Sequence, residues 1–275
     1  PLLAGFLLTL LGTAATLVPP YLTMPLMDEV LIPFQNGQRI DPGYVMLLLA
    51  GLLGSALPLV ARYADTTPQR IPGFHDLHRM ALILLSERAK SNARILVLAA
   101  GGGLELKSFA QARPDWSFAG VDPSQAMLDL AAQVLGPLGS QVGLIPGYVD
   151  DAPLELFDGA TCLLTLHFLS KAERFSLLKS LLARLKPGAA LVVAHHCRPE
   201  EGATEDWLAR SIAFATGTET TAEAIGSASN MAQHLTLLSP QEEEGLLREA
   251  GFMASALFYA GLSFRGWVAY AEDQA

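Results

Sequence analysis

Two patterns of apolar residues divide the chain. Residues 1–27 and 42–61 are uncharged runs, each meeting the length of about 20 apolar residues that crosses a hydrocarbon core. Asp28, Glu29, Arg39 and Asp41 lie between them, and Arg62 is the first basic residue after the second. The few charges follow the positive-inside tendency, which puts the remainder of the chain on the cytoplasmic side. Past Ala61 the pattern changes to amphipathic stretches alternating with short apolar runs. The helical period predicts helices over residues 76–91, 105–112, 124–135, 171–185, 204–214 and 240–250. Strands are predicted over residues 95–99, 118–121, 142–145, 162–166, 190–194, 256–260 and 266–270. The expected organisation is a hydrophobic helical hairpin over residues 1–62 and an α/β domain over 63–275.

The first five strands, alternating with helices, predict a Rossmann-like, doubly wound parallel sheet. The last two are joined only by Gly261 to Arg265, too short for a parallel crossover and right for an antiparallel hairpin.

The first crossover carries the strongest chemical signal. Apolar Ile95 to Ala99 runs into Ala100, Gly101, Gly102 and Gly103, a helix follows, and a second strand closes on Asp122. Residues without side chains let the backbone approach a ligand, and a carboxylate at the tip of the second strand can accept both ribose hydroxyls. This is the layout of a nucleoside-binding crossover. The competing structural reading makes Asp122 a helix N-terminal acid favoured by the helix dipole.

Charge narrows the partners. The chain carries −9 at neutral pH, nearly all of it after Tyr63, and it has no basic run. Nucleic-acid binding draws on clustered cations, so no nucleic-acid partner is expected. Cys162 and Cys197 are too few and too widely spaced for a cysteine metal site; reduced, buried thiols are expected, and no metal.

A parallel sheet finished by an antiparallel hairpin resembles the class I S-adenosylmethionine-dependent methyltransferases. Asp122-Pro123-Ser124 with Met127-Leu128, Leu166-His167-Phe168-Leu169 after the fourth strand, and Leu185-Lys186-Pro187-Gly188 before the fifth resemble that family's motifs. The resemblance covers residues 63 to 271 and implies S-adenosylmethionine as cofactor and a methyl acceptor, expected to be a small molecule. It implies a cofactor site built from Ala99, Ala100, Gly101, Gly103, Asp122, Pro123, Met127 and Leu166. After the third strand, Tyr148 would stack on or bond to adenine, the Val149 backbone would meet the ring, and Asp150 or Asp151 would accept from its amine. The family's strand-1 acid is here Val97 and its first glycine is Ala99.

Within that superfamily, Arg70-Ile71-Pro72-Gly73-Phe74 and the run from Leu238-Ser239-Pro240 to Ala250-Gly251-Phe252 resemble the carboxy-S-adenosylmethionine synthases. This adds Phe74 to the cofactor residues, with His75 and His78 beside it on the first helix, facing substrate. Three positions depart from that branch: Ala228 stands for its arginine, Tyr148 for an aspartate and Leu163 for an asparagine. Leu2 to Leu57, with VPPYLTMPLMDEVLIP at its centre, resembles the first membrane hairpin of an ABC exporter. No G-x-x-x-x-G-K-[ST] loop follows.

Methyl transfer from a sulfonium needs positioning, and a base only when the acceptor carries a proton. The candidate bases are His167, after the fourth strand, and the pair His195-His196 at the end of the fifth, with His167 and His196 preferred as catalytic. The expected function is methyl transfer by a cytoplasmic-facing domain that residues 1–61 tether to the inner membrane. The alternatives are a non-catalytic cofactor-binding module, a carboxy-S-adenosylmethionine synthase-like enzyme and a transporter fragment.

Overall fold

The computed structural model describes residues 62–272. The hydrophobic hairpin expected over residues 1–62, and with it the exporter resemblance, lies outside the described residues save for Arg62. Among the described residues no helix is long and apolar enough to cross a membrane. Asp65–Ala275 form one compact unit.

After a helical segment over residues 62–70, the elements run α1 (Phe74–Ser86), β1 (Arg94–Leu98), α2 (Leu104–Ala112), β2 (Ser117–Asp122), α3 (Gln125–Leu135), β3 (Val142–Pro146), β4 (Phe157–Leu163), α4 (Lys171–Leu182), β5 (Leu185–His196), α5 (Thr204–Thr216), α6 (Ala222–His234), α7 (Pro240–Ala250), β6 (Phe252–Gly261) and β7 (Phe264–Ala271). The seven strands form one sheet in the order β3-β2-β1-β4-β5-β7-β6. The first five are mutually parallel. β7 inserts antiparallel between β5 and β6, as the short final connection predicts. β3 and β4 are joined without an α-helix, only by a 3-10 turn over Val149–Asp151.

Strand alternation divides the core into two layers. Leu96, Leu98, Leu191, Val193 and Trp267 face one side, where Leu178 and Leu181 of α4 and Leu246 and Leu247 of α7 cover them. Ile95, Val97, Ala190, Val192 and Val268 face the other, under Leu77 and Leu85 of α1 and Leu106 and Phe109 of α2. Such strands are buried on both faces and read as continuous apolar runs rather than as alternation. Helix starts follow local chemistry: Ser170 with Glu173, and Ser239 with Glu242, form reciprocal capping boxes, the second with Pro240 in the first turn.

Four expectations shift. α1 ends at Ser86 rather than residue 91. β4 starts at Phe157 and ends at Leu163, so Leu164 to Leu166 are not strand. Leu164 has φ 61°, a conformation that ends a strand, and Gly159 pairs with Ile95 and Ala190 at a position where a Cβ would lie 2.7 Å from Leu85. β5 is longer than expected and absorbs His195 and His196. α6 escapes propensity because Gly226, Ser227, Ser229 and Asn230 are weak helix formers; it starts where the Thr221 side chain accepts from the Ala224 N–H.

α5 and α6 form an insert between β5 and α7, with Leu208, Ala209 and Ala228 as its own small core. Its two ends are pinned together. The Arg198 N–H donates to the Leu238 carbonyl at 3.1 Å, the Arg198 guanidinium pairs with Glu242 at 2.8 Å, and the Gln241 N–H donates to Glu200 at 3.1 Å.

Candidate cofactor and acceptor site

The carboxyl ends of the parallel strands are where an open α/β sheet binds ligands, and the glycine turn and Asp122 lie there. β1 ends at Leu98, and the chain turns through Ala99, whose φ of 55° is left-handed, into a buried Ala100. Gly103 has φ 70° and caps α2; a Cβ on it would lie 2.8 Å from the Ala131 backbone of α3. Any side chain at Gly103 is therefore excluded by conformation and by packing.

Asp122 closes β2 against this turn. Its Oδ2 accepts the Gly101 N–H at 3.0 Å and its Oδ1 accepts the Ser124 N–H at 2.8 Å. The helix-start reading and the loop-facing reading are thus both satisfied by one side chain. Burial raises the Asp122 pKa, and the two backbone donors act against that rise. Each oxygen still has a lone pair for a ligand hydroxyl. A Cβ on Gly101 would fall 2.8 Å from Asp122 Oδ2 and 3.0 Å from Met127 Cε, so glycine keeps open a cradle bounded by that carboxylate and that thioether. The Gly102 N–H donates to the Met127 carbonyl at 3.2 Å, and the Gly147 N–H to the Asp122 carbonyl at 3.0 Å. Pro123 is exposed at the start of this turn.

The segment after β3 is more open. Tyr148 is 70% exposed and Val149 is buried. Asp151 accepts the Tyr148 N–H at 2.8 Å, and Asp150 pairs with Arg184 at 3.5 Å. Both acids thus already have partners. Leu166 is sealed in the core, with its carbonyl held by Arg174 at 2.8 Å, so its side chain packs rather than lining an open wall. Phe74 is buried and stacks edge-on against His78, with ring centroids 4.4 Å apart. His78, expected to face substrate, is buried between Phe74 and Phe109; burial, with His75 nearby, lowers its pKa to about 4. His75 is exposed.

Adjacent β5 histidines point to opposite faces. His195 is turned away from the other candidate bases: its Nε2 meets Glu243 at 2.8 Å, and Glu243 is closely ion-paired with the fully buried Arg174. His196 faces His167, with ring centroids 5.0 Å apart, and stacks on Phe264 at 3.8 Å. Its Nδ1 meets Ser263 Oγ at 2.7 Å, Ser263 Oγ meets Ser211 Oγ at 2.6 Å, and Ser211 donates to the Trp207 carbonyl at 3.2 Å. A carbonyl only accepts, so the chain runs from His196 Nδ1–H outward and leaves Nε2 with the lone pair. Burial, with His195 adding to it, lowers the His196 pKa to about 4. His167 differs: its Nδ1 accepts the His196 N–H at 3.5 Å, which places its proton on Nε2. Burial, and then the neighbouring His196, His195 and Arg174, hold its pKa well below the ordinary value.

Ser211, Ser263 and Glu243 escaped the sequence reading because Ser263 and Glu243 meet their histidines, and Ser211 meets Ser263, only through the tertiary fold. Phe168, 66% exposed and packed on His167 at 4.2 Å, was visible only as part of a motif.

Residues 95–188 match the family described as methyltransferase domain. That segment spans the glycine turn, Asp122 and the fourth-strand motif. Solved structures agree on the fold. A candidate O-methyltransferase from Nostoc punctiforme is 20% identical, with a TM-score of 0.57 over 78% of this chain and 60% of that one. An O-methyltransferase family 2 protein from Planctomyces limnophilus, in complex with apigenin, is 17% identical, with a TM-score of 0.52 over 84% and 62%. The [4+2]-cyclase SpnF is 15% identical, with a TM-score of 0.53 over 72% and 81%. At these identities the likeness is one of fold, and the chain spans about 60% of the length of the first of these. No curated protein matches the chain.

Proposed function

We propose that this chain transfers a methyl group from S-adenosylmethionine to a small-molecule acceptor bearing an ionisable hydrogen. The observation that carries the reading is the Asp122 carboxylate bonded to the Gly101 N–H at a turn held open by glycine. When bound, the cofactor supplies a methyl group on a sulfonium. The protein does the rest by position and proton handling. Asp122 accepts the ribose hydroxyls, the turn from Ala99 to Gly103 lies against the ligand through its backbone, and Met127 flanks it. His196, neutral at pH 7 with Nε2 free, takes the acceptor's proton, while His167, carrying its proton on Nε2, orients the acceptor. The α5–α6 insert supplies Ser211 and so fixes the tautomer of His196.

Two rival readings carry specific observations. Val97, in place of a strand acid, suits a module that binds without turnover. A carboxylated cofactor would need a cation near position 228; Ala228 is fully buried against Leu208 and Ala209 within the insert, which counts against that branch.

The deciding measurement is calorimetric titration with S-adenosylmethionine. Asp122→Ala is expected to lose about 1–3 kcal/mol of binding, the scale for lost hydrogen bonds to a charged group. Asp122→Asn, which can still accept from Gly101 or Ser124, should recover part of it. Equal dissociation constants for wild type and Asp122→Ala would refute the ribose assignment.

A further inference from the structure

Glu105 is a carboxyl that the mechanism above leaves unused. It is the second residue of α2, one turn from the glycine cradle, and its carboxyl meets Thr161 Oγ1 of β4 closely. Thr161 is the register partner of Val97 on β1, so this carboxyl sits over the β1–β4 seam, directly behind the turn from Ala99 to Gly103. Among the described residues its side-chain hydrogen bond is to Thr161, and no cationic side chain pairs with it.

The site and the cofactor are complementary in charge and order. With the ribose at the tip of β2, an amino-acid arm lying across the glycine turn would run toward β1 and β4, since the strands lie in the order β2-β1-β4. That arm ends in an α-ammonium group and an α-carboxylate, and only the ammonium group suits a carboxylate partner. We propose that Glu105, oriented by Thr161, is the seat of this ammonium group, supplying from α2 a carboxylate that strand β1 lacks at Val97. The proposal rests on the cofactor binding at Asp122.

Burial raises the Glu105 pKa to about 7, with the Thr161 hydrogen bond acting against the rise. The charged and titratable groups around it are few. Cys162, next to Thr161, is pushed up to about 12 by burial and then by Glu105 itself, and so stays a neutral thiol. Asp122 lies across the turn, and Arg174, on the opposite layer, couples to Cys162.

The test compares the full chain with Glu105→Gln and Thr161→Val, using two probes, S-adenosylmethionine and 5′-methylthioadenosine. The second keeps the nucleoside and sulfur but lacks the amino-acid arm. At pH 8, Glu105→Gln should weaken S-adenosylmethionine about 10- to 100-fold, the scale of a charged hydrogen-bonded pair, and leave methylthioadenosine unchanged; Thr161→Val should fall between. At pH 6, wild type should release close to one proton on binding S-adenosylmethionine, read by calorimetry in buffers of different ionisation enthalpy, and Glu105→Gln far less. Equal loss for both probes, or unaltered affinity and proton release in Glu105→Gln, would overturn the proposal. Failure of wild type to bind either probe would instead remove the cofactor reading on which it rests.

Discussion

Replacing His196 by alanine should lower turnover by about 10²–10⁴-fold, the usual contribution of a general base, while the dissociation constant for S-adenosylmethionine stays within a factor of three or so, since His196 is not among the residues proposed to hold the nucleoside. His167→Ala should cost less, because its Nδ1 already accepts the His196 N–H. The acceptor must first be found, and labelled methyl transfer onto phenols, amines and carboxylates is the screen. The pH profile gives a second readout. With a pKa of about 4, His196 is neutral above that value, so its limb of the profile should be flat from pH 6 to 8 and fall as pH drops toward 4. Ser263→Ala removes the acceptor that fixes the Nδ1–H tautomer and should lower turnover without moving cofactor affinity. Near-normal turnover in both His196→Ala and Ser263→Ala would mean that positioning alone drives the reaction.

The largest expected loss of stability comes from the opposite layer. Arg174 is fully buried, pairs closely with Glu243, and donates to the Leu166 and Thr236 carbonyls, both at 2.8 Å. Removing one partner of such a pair strands a buried charge, at about 3–5 kcal/mol, so Arg174→Met should show a loss of that size in denaturant unfolding. Joint replacement of Arg174 and Glu243 by apolar residues should cost less than Arg174→Met alone, since no charge is then left unpaired. Additive losses would contradict the coupling. The acid response has a definite sign. Burial pushes the Glu243 pKa up, but His195 and Arg174 together pull it below the ordinary value. The pair therefore stabilises the fold above the unfolded carboxyl range and loses that contribution as pH falls through the folded value. The Thr236 N–H also donates to the His167 carbonyl at 2.9 Å, so loosening Arg174 should disturb His167 as well.

Much of the fold was readable because its signals are local. Apolar runs marked the strands, Gly261 to Arg265 marked the antiparallel ending, and the amphipathic period marked the helices. Asp122 was legible for the same reason, lying at a fixed distance from Gly103 along the chain. What local pattern missed was set by tertiary contact. Gly159 lies outside the predicted fourth strand but is strand, because it pairs in register with Ile95 and Ala190. His195 and His196 are chemically identical neighbours in sequence, and only the pleat sends one to Glu243 and the other to Ser263. α6 is helical despite its composition because Ala228 packs against α5. Glu105 looks like an ordinary exposed helix acid until Thr161, 56 residues away, is brought beside it.

The pinned ends of the α5–α6 insert have an evolutionary consequence. Because Arg198, Glu200, Leu238, Gln241 and Glu242 close the base of the excursion, the chain leaves and rejoins the sheet at nearly one point. Two helices can therefore be lengthened or reshaped there without altering the register of β5 or β7, so long as Ser211 and Thr236 keep their contacts. An ancestral sheet with a fixed nucleoside cradle could diversify its acceptors by reshaping this cassette, and descendants would then agree in their first crossover while diverging most steeply between residues 199 and 237, outside Ser211 and Thr236.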